Sequence, residues 1–417
     1  MNELQSFLKP VVSSGRELRN LESNKKNLVL LKLAELLKTN SAQIQIENKK
    51  DLDLLPATAL VAFRDRLTLT SKRVEDMVEG LLYIANLQDP IGEIIERKTL
   101  PNLLMLKKTR VPIGVILFIF ESRPNVAIDS FALAFKSGNA ILLRAGKEAK
   151  NTVHMLSTLI HEALKSEGID VSSATFIQNS DREFLKGLLK CKKEIDVVIP
   201  RGGEGLISFI DENCSIPIIK NDRGMCHVYI DEEADFAMAL DIVKNAKTQR
   251  PGVCNAMETL LVNAKIAEKF LPILFSHLDL VEFHCCEKSF AILKNENSSR
   301  IKKATEQDFD TEYLDLILNC KLVESLEEAI QHIEAHGSRH SESIVTSNEA
   351  KARNFQKGID AAVVYWNAST RFTDGFEFGL GGEIGISTQK LHVRGPVGLK
   401  ELTCQKWVVD GSGQVRR

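Results

Sequence analysis

The most constraining feature of this 417-residue sequence is an alternation of short apolar runs with helical patterns between residues 111 and 200. The apolar runs predict strands and the segments between them predict helices. The predicted strands are Gly114–Phe120, Asn139–Arg144, Ala174–Gln178 and Asp196–Pro200, and the predicted helices are Val126–Lys136, Glu148–Glu167 and Asp181–Lys192. This order predicts an α/β fold built on a doubly wound parallel sheet. Ligands in such sheets bind beyond the carboxyl ends of the strands.

A second alternation of strands and helices begins at Thr259 and continues to Tyr365, which predicts a second α/β unit. A leucine-rich helical pattern runs from about residue 15 to 50 and a second helical stretch runs near Lys72 to Leu87. A two-stranded hairpin is predicted on either side of Leu100-Pro-Asn102. A strand predicted over Thr403–Val409 could pair with that hairpin.

Charge and cysteine content narrow the classes of function. The 54 Lys and Arg residues nearly balance the 56 Asp and Glu residues, which argues against a nucleic-acid or membrane surface and favours a small-molecule substrate. The eight cysteines form no CxxC pair and are typical of reduced thiols. No signal core is recognisable, and no run approaches the roughly 18 apolar residues of a spanning helix. We therefore expect a cytoplasmic protein.

One cysteine, Cys254, lies in a segment whose composition suits a nucleophile. Pro251 and Gly252 interrupt the helical pattern of Ala234–Lys247, and a strand-like run follows from Glu258. A thiolate in such a loop can draw on backbone N–H groups and on the neighbouring Arg250 to lower its pKa. The alternative is a small buried hydrophobic residue, since free cysteine is among the most buried residue types.

Two strand ends carry residues suited to an anion. Arg201-Gly-Gly203 follows a strand and opens a helix, where backbone N–H groups can hold a phosphate. Arg144 and Lys147 place two cations after another strand. A structural turn and a solvated surface pair are the alternatives. No G-x-G-x-x-G follows an early strand, so the standard dinucleotide fingerprint is missing.

No metal site is predicted. In His332-Ile-Glu-Ala-His336 the glutamate is not adjacent to the first histidine, as H-E-x-x-H requires. Cys285-Cys286 has no partner ligands at zinc spacing.

Several stretches together resemble the aldehyde dehydrogenase superfamily, and they follow one another in the order of that family across most of the chain. These stretches are Val111-Pro-Ile-Gly-Val115, Glu121-Ser-Arg-Pro-Asn-Val126, Leu143-Arg144 with Lys147-Glu-Ala149, Ile199-Pro-Arg-Gly-Gly203, Gln249-Arg-Pro-Gly-Val-Cys-Asn255, Gly381-Gly-Glu-Ile-Gly-Ile-Ser-Thr-Gln-Lys-Leu-His392 and Arg394-Gly-Pro396. Each is weak alone, but jointly they are specific. The resemblance makes Cys254 the expected nucleophile.

Within the superfamily, the chain is most similar to the members that reduce L-glutamate 5-phosphate in L-proline biosynthesis. That resemblance implies attack of Cys254 on the acyl phosphate, loss of phosphate and formation of a thioester. It also implies that the Asn125 amide and the Cys254 backbone N–H hold the oxyanion. NADPH would then reduce the thioester to L-glutamate 5-semialdehyde.

Two departures from ordinary aldehyde dehydrogenases refine this expectation. Members that hydrolyse their thioester carry a glutamate upstream of the cysteine, whereas the corresponding Lys220-Asn-Asp-Arg-Gly224 has none. Lys147 stands where those enzymes carry an acidic residue for the ribose hydroxyl, which favours NADPH over NADH. Arg144, Arg201, Gly202 and Gly203 are the other cofactor residues expected, and Glu312 is aligned with the glutamate near the nicotinamide ribose.

The substrate carries a carboxylate and a phosphate and so needs cations near the thiol. Arg123, Arg250 and Lys220 are the candidates because they flank the motifs that place Asn125 and Cys254. His392 and Arg394 are more remote candidates. A structural salt bridge is the alternative for each.

The resemblance also implies a division into domains. We expect a Rossmann-like cofactor domain over residues 1–95 and 111–245, a catalytic domain over 246–370, and a flap over 96–110 and 390–417 that joins subunits into a homo-oligomer. The active site would lie between the two large domains. An association with glutamate 5-kinase, which makes the acyl phosphate, is left open.

Three other functions are open at this point. The first is an NAD(P)-dependent semialdehyde dehydrogenase that oxidises an aldehyde to an acid, which the missing glutamate disfavours. The second is a catalytically silent, ligand-binding homologue, which the intact Cys254 and Asn125 disfavour. The third is a cysteine acyltransferase or hydrolase without nicotinamide, although no histidine partner is recognisable near Cys254 in sequence.

Overall fold

The structure, a computed structural model, describes residues 3–59, 61–220, 223–296 and 298–416. Its helices are α1 (Glu3–Leu18), α2 (Ser23–Thr39), α3 (Ser41–Asp53), α4 (Val61–Leu67), α5 (Ser71–Asn86), α6 (Val126–Lys136), α7 (Lys150–Ser166), α8 (Arg182–Leu188), α9 (Glu204–Asn213), α10 (Phe236–Thr248), α11 (Ala264–His277), α12 (Glu287–Leu293), α13 (Leu326–His336) and α14 (Glu349–Gly358).

Its strands are β1 (Ile94–Thr99), β2 (Met105–Pro112), β3 (Val115–Phe120), β4 (Ala140–Ala145), β5 (Ala174–Phe176), β6 (Val197–Arg201), β7 (Cys226–Ile230), β8 (Met257–Asn263), β9 (Glu282–Cys285), β10 (Ile301–Lys303), β11 (Ile317–Val323), β12 (Ser341–Val345), β13 (Val363–Trp366), β14 (Ile386–Ser387), β15 (Gly395–Pro396) and β16 (Thr403–Asp410).

The chain divides into two compact units. The first comprises residues 1–220, 379–385 and 396–417, and the second comprises residues 221–378 and 386–395. The sequence placed the boundary near residue 245, whereas in the structure β7 and α10 belong to the second unit. The reason is that β7 pairs with β8 and β12 of the second sheet.

The first unit contains a four-stranded parallel sheet in the order β5-β4-β3-β6. All six residues of β3 are buried, as expected for a central parallel strand that is covered on both faces. The alternation of strands and helices predicted from residue 111 is confirmed, and α6 begins and ends at the predicted residues. The parallel arrangement brings the carboxyl ends of β3, β4 and β6 to one edge of the sheet.

The first unit also contains a three-stranded antiparallel sheet in the order β1-β2-β16. Thr403 pairs with Pro112 at one end and Asp410 pairs with Met105 at the other, so β16 follows β2 along its whole length. The predicted hairpin and its pairing with the C-terminal strand are therefore confirmed. Trp407 and Val409 are exposed on β16.

The second unit is a seven-stranded parallel sheet in the order β10-β9-β11-β8-β7-β12-β13. Two apolar clusters cover its faces, and alternate residues of β7 join different clusters: Val228 and Ile230 join one and Tyr229 joins the other. This alternation follows from the twofold periodicity of a strand. The predicted second α/β unit is confirmed.

His332, on α13, is only 5% exposed. It lies in the second unit beside the titratable side chains of Lys321, His227 and His336. Its Nδ1 lies 3.2 Å from Nζ of Lys321, and its ring centre lies 5.6 Å from that of His227 and 4.5 Å from that of His336. Burial, reinforced by the positive charge of these neighbours, lowers the pKa of His332 to about 2. The ring therefore stays neutral in the folded protein.

We predict that the neutral ring of His332 makes the fold sensitive to acid. The unfolded chain takes up a proton below its ordinary pKa of 6.5, whereas the folded ring does not until about pH 2. Stability from this group is thus complete above pH 6.5 and falls by about 1.4 kcal/mol per pH unit as the pH decreases. Urea unfolding of His332→Gln between pH 6 and 5 should show a shallower loss than wild type. His277→Gln, at an exposed position, is the control, and equal slopes in all three proteins would contradict the prediction.

Candidate active site

Cys254 lies in the loop that joins α10 to β8, in the second unit. The helix ends at Thr248, and Pro251 and Gly252 follow in a turn. The position between a helix and a strand is the one predicted from the sequence. The Cys254 side chain is half-buried. We refer to residues 249–256 as the Cys254 loop.

A buried ion pair joins the two elements that flank the Cys254 loop. Lys247, in the last turn of α10, donates from Nζ to Oε2 of Glu258 on β8 over 2.9 Å, and both side chains are fully buried. Burial raises the pKa of Glu258 to about 7 and lowers the pKa of Lys247. The other oxygen of Glu258 accepts from the backbone N–H of Leu314 over 3.2 Å. Glu258, just after the Cys254 loop, therefore contacts both the end of α10 and the segment around Leu314.

Gly224 lies directly against the backbone of Cys254. A Cβ atom at position 224 would overlap the carbonyl group of Cys254, so a glycine is required by this close approach. The backbone N–H of Gly224 donates to Oε1 of Glu312 over 2.8 Å. The structure thus brings Glu312 to the neighbourhood of the Cys254 loop. Residues 221 and 222 of the segment without a glutamate lie outside the described residues.

The thiol of Cys226 donates to the carbonyl oxygen of Cys254 over 3.2 Å. Burial, followed by the nearby carboxylate of Glu342, raises the pKa of Cys226 well above its ordinary value. Cys226 therefore stays protonated and remains a donor. It holds the backbone of the loop, and its own thiol is not the nucleophile.

Asn255, which follows Cys254, is held by a segment about 115 positions further along the chain. Its carbonyl oxygen accepts from Oγ1 of Thr370 over 2.7 Å, and its Nδ2 donates to the carbonyl oxygen of Thr373 over 2.8 Å. The Asn255 Oδ1 accepts from Arg371. The sequence did not single out Arg371 because nothing near it in sequence indicates the loop to which it binds.

Asn125 lies at the start of α6, after β3 of the first unit. Its Nδ2 donates to Oδ2 of Asp129, one turn further along the helix, over 3.2 Å. Burial raises the pKa of the Asp129 carboxyl to about 7, against the effect of this hydrogen bond. Asp129 orients the Asn125 amide because it accepts a hydrogen bond from one of the two amide N–H groups. The other N–H group remains available to donate to an oxyanion. The sequence prediction did not include Asp129.

The residues predicted to bind a cofactor in the first unit lie at one edge of the four-stranded sheet. Phe120, the last residue of β3, pairs with Ala145 on one side and with Arg201 on the other. This register places the loops after β3, β4 and β6 next to one another. The predicted residues in these loops and strand ends are Arg123, Asn125, Arg144, Lys147, Arg201, Gly202 and Gly203.

Carboxylates of the chain occupy two backbone donors at this edge. The N–H of Gly203 donates to Oε2 of Glu121 over 3.1 Å, and the N–H of Ser122 donates to Oε1 of Glu148 over 2.7 Å. A phosphate on Gly203 would therefore have to replace the carboxylate of Glu121. Arg144 donates from Nη2 to the carbonyl oxygen of Ser180 over 3.1 Å, whereas its Nε is buried and has no hydrogen-bond partner among the described residues.

The three cations predicted to bind substrate lie in different environments. Arg123 is in the loop after β3, two residues before Asn125. Lys220 forms an ion pair with Asp211 of α9 at 2.8 Å. Arg250 is exposed in the Cys254 loop. Of the more remote candidates, Arg394 pairs with Asp360 at 2.8 Å.

Among the described residues, no three His, Cys, Asp or Glu side chains are arranged to hold a metal ion. In the same part of the chain, no helix combines the length and the apolar character needed to cross a membrane.

We predict that Gly224→Ala disturbs the Cys254 loop. The added methyl group must displace the Cys254 carbonyl, and overpacking of this kind costs about 1–3 kcal/mol. Urea unfolding should show that loss, and the rate at which iodoacetamide alkylates Cys254 should change. The matched control is Gly205→Ala in the first turn of α9, where an added methyl group would have open space around it and stability should stay equal or rise. Wild-type stability and alkylation in Gly224→Ala would contradict the prediction.

Comparison with known proteins identifies relatives over the full length. The family model for the aldehyde dehydrogenase family matches residues 15–284. The gamma-glutamyl phosphate reductase of Carboxydothermus hydrogenoformans is 49% identical over 419 residues, which cover 100% of both chains. The solved structure of gamma-glutamyl phosphate reductase from Thermotoga maritima superposes with a TM-score of 0.94 at 44% identity, again over 100% of both chains.

A more distant structure shares the fold. The acetylating aldehyde dehydrogenase of Geobacillus thermoglucosidasius superposes with a TM-score of 0.72 at 18% identity and covers 100% of this chain. The predicted aldehyde-dehydrogenase-like α/β fold is therefore confirmed.

Proposed function

Because this chain belongs to the gamma-glutamyl phosphate reductases of the aldehyde dehydrogenase family, we propose that it reduces L-glutamate 5-phosphate to L-glutamate 5-semialdehyde in L-proline biosynthesis. The observation that carries the proposal is the similarity to these reductases, at 47–49% identity over the whole of both chains. The loop that holds Cys254 gives this activity a nucleophile.

In the proposed mechanism, the thiolate of Cys254 attacks the acyl carbon of the substrate. The sulfur–carbon bond forms, the bond from that carbon to the phosphate oxygen breaks, and the electron pair leaves with the phosphate. The backbone N–H of Cys254 and the amide of Asn125 stabilise the oxyanion that develops. Asp129 supports this role because it fixes the orientation of the Asn125 amide.

The residues at the sheet edge of the first unit fit a nicotinamide cofactor. A buried Arg144 Nε without a partner among the described residues, beside the exposed cation Lys147, is suited to a phosphate group. Arg144, Lys147, Arg201, Gly202 and Gly203 would hold the cofactor, and Glu312 would approach its nicotinamide ribose. A bound cofactor supplies the hydride that brings the thioester to the aldehyde level, and Cys254 then leaves as thiolate. Lys147 favours the 2′-phosphate and thus NADPH.

Arg123, Arg250 and Lys220 are proposed to bind the two anionic groups of the substrate. Arginine is suited to both because its guanidinium group can donate two hydrogen bonds to a carboxylate or a phosphate. The ion pair between Lys220 and Asp211 makes Lys220 the weakest of the three candidates.

The first test of the proposed function runs the reaction in reverse, from 1-pyrroline-5-carboxylate and phosphate, and follows the reduction of NADP⁺. Wild type should turn over only when phosphate or arsenate is present. Cys254→Ala should lose more than about a thousandfold in kcat because no thioester can form. Surviving turnover in this variant would refute the thioester mechanism.

The control for Cys254→Ala is Cys191→Ala, which removes another half-buried thiol, in the first unit. It should keep wild-type activity. If phosphate proved unnecessary, the chain would instead act as a semialdehyde dehydrogenase that forms an acid, and product analysis would identify glutamate.

The second prediction concerns the choice of cofactor. Lys147→Glu should shift the ratio of kcat/KM for NADPH over NADH toward NADH by about tenfold or more, because a carboxylate repels the 2′-phosphate. Lys150→Glu, three residues away at another exposed position, is the control for a general change in charge. An unchanged ratio in Lys147→Glu, or an equal shift in both variants, would remove Lys147 from the 2′-phosphate site.

The exposed face of the three-stranded sheet supports a homo-oligomer. Trp407 and Val409 are large apolar side chains that remain 47% and 51% exposed on an edge strand. Such a surface favours association with another copy of the chain. Association with glutamate 5-kinase and a cytoplasmic location stay predictions from the sequence.

A further inference from the structure

Arg371 spans the Cys254 loop. Its Nε donates to Oε1 of Gln249 over 2.8 Å, and its Nη1 donates to Oδ1 of Asn255. Gln249 directly precedes Arg250, and Asn255 directly follows Cys254. Two of the donors of one guanidinium group therefore connect the two ends of the loop, and the group lies beside the nucleophile and beside a second arginine.

The third nitrogen of this guanidinium group, Nη2, makes no hydrogen bond within the described part of the chain. Arg371 is half-buried, and burial lowers its pKa, followed by the like charge of Arg250. Asp374 and the thiols of Cys254 and Cys226 act in the opposite direction. The carboxylate of Asp374 accepts from the backbone N–H of Phe376 over 2.9 Å and forms no ion pair with Arg371.

Arg250 likewise has no carboxylate partner among the described residues. It is exposed, and it makes neither a hydrogen bond nor an ion pair with the described residues. Arg371 is a partly desolvated cation beside a second cation and without a carboxylate partner, which is unfavourable because a desolvated charge is normally paired. An anion that binds both would remove this cost, and the fork of a guanidinium group suits the tetrahedral oxygens of phosphate.

We propose that Arg371 and Arg250 together bind the phosphate group of the acyl phosphate, an inference that rests on the proposed function. The phosphate is attached to the carbon that Cys254 attacks, whereas the α-carboxylate lies at the far end of the substrate. The anion that comes closest to the Cys254 loop is thus the phosphate. The two guanidinium groups stabilise the charge that collects on the leaving oxygen as the carbon–oxygen bond breaks. In the reverse direction they position phosphate for attack on the thioester.

The test measures the reverse reaction with phosphate and 1-pyrroline-5-carboxylate varied separately. Arg371→Gln should raise the KM for phosphate by about ten- to a hundredfold, because the positive charge and the charge-assisted hydrogen bonding of Nη2 are lost. The KM for the pyrroline should stay within about twofold. The KM for phosphate of Arg371→Lys should lie between those of wild type and Arg371→Gln, because lysine keeps the positive charge but lacks the planar guanidinium donors. Arg353→Gln, at an exposed arginine on α14 that pairs with Glu349, is the matched control and should leave both constants unchanged.

A second measurement does not depend on turnover. Inorganic phosphate should slow the alkylation of Cys254 by iodoacetamide in wild type and in Arg353→Gln, and should protect neither Arg371→Gln nor Arg250→Gln. If Arg371→Gln does not fold, Arg250→Gln carries the test, since this exposed residue has no structural partner to lose among the described residues.

Three results would overturn the proposal. A rise in the KM for the pyrroline with an unchanged KM for phosphate would assign the pair to the carboxylate. A loss of kcat alone, equal in both Arg371 variants, would make Arg371 a positioning residue for the loop. Undiminished protection by phosphate in the variants would place the phosphate elsewhere.

The failure of the proposed function would give a different result. If wild type shows phosphate protection without any NADP-linked turnover, the proposed function fails and the anion site stands.

Discussion

The buried pair of Lys247 and Glu258 is the interaction on which the candidate active site depends. It joins the end of α10 to the start of β8 over 2.9 Å and so fixes both ends of the Cys254 loop. Both charges have lost their hydration, as the raised pKa of Glu258 and the lowered pKa of Lys247 indicate. The removal of one partner would leave the other charge buried and uncompensated, at a cost of about 3–5 kcal/mol.

The remaining contacts of the Cys254 loop are made by segments that are distant in sequence. Cys226 and Gly224 contact the backbone of Cys254, and the segment from Thr370 to Thr373 binds Asn255. Cys254 is thus placed by contacts from several segments of the second unit. Catalytic groups held in this way need little reorganisation when the reaction begins.

The sequence predicted elements whose pattern is local and strong. The bounds of α6 follow from an apolar helix that Ser137-Gly138 closes, and the hairpin follows from alternating residues on either side of a turn. β7 was not predicted, and its place in the second sheet depends on pairing with β8 and β12, which the sequence pattern does not show. With β7 included, the second unit begins at residue 221, before the predicted boundary at 245.

The candidate site shows the same limit. Cys254 and Asn125 were singled out because they stand in family motifs, whereas Arg371 and Asp129 act through contacts that no motif includes. The roles of Arg371 and Asp129 became visible only from their hydrogen bonds in the structure. The hydrogen bonds of Arg371 join residues more than a hundred positions apart and leave no periodic trace in the sequence, whereas Asp129 lies four residues after Asn125, at a spacing that helical periodicity could have indicated.

The contact between Gly224 and Cys254 limits how this scaffold could be re-engineered. A designer who wished to turn the reductase into a hydrolytic enzyme would introduce a water-activating glutamate into the segment from Lys220 to Gly224. Position 224 cannot accept it, because even one methyl group there meets the carbonyl of Cys254. A designer would therefore have to keep glycine at position 224 and place the glutamate elsewhere, unless the Cys254 loop were remodelled as well.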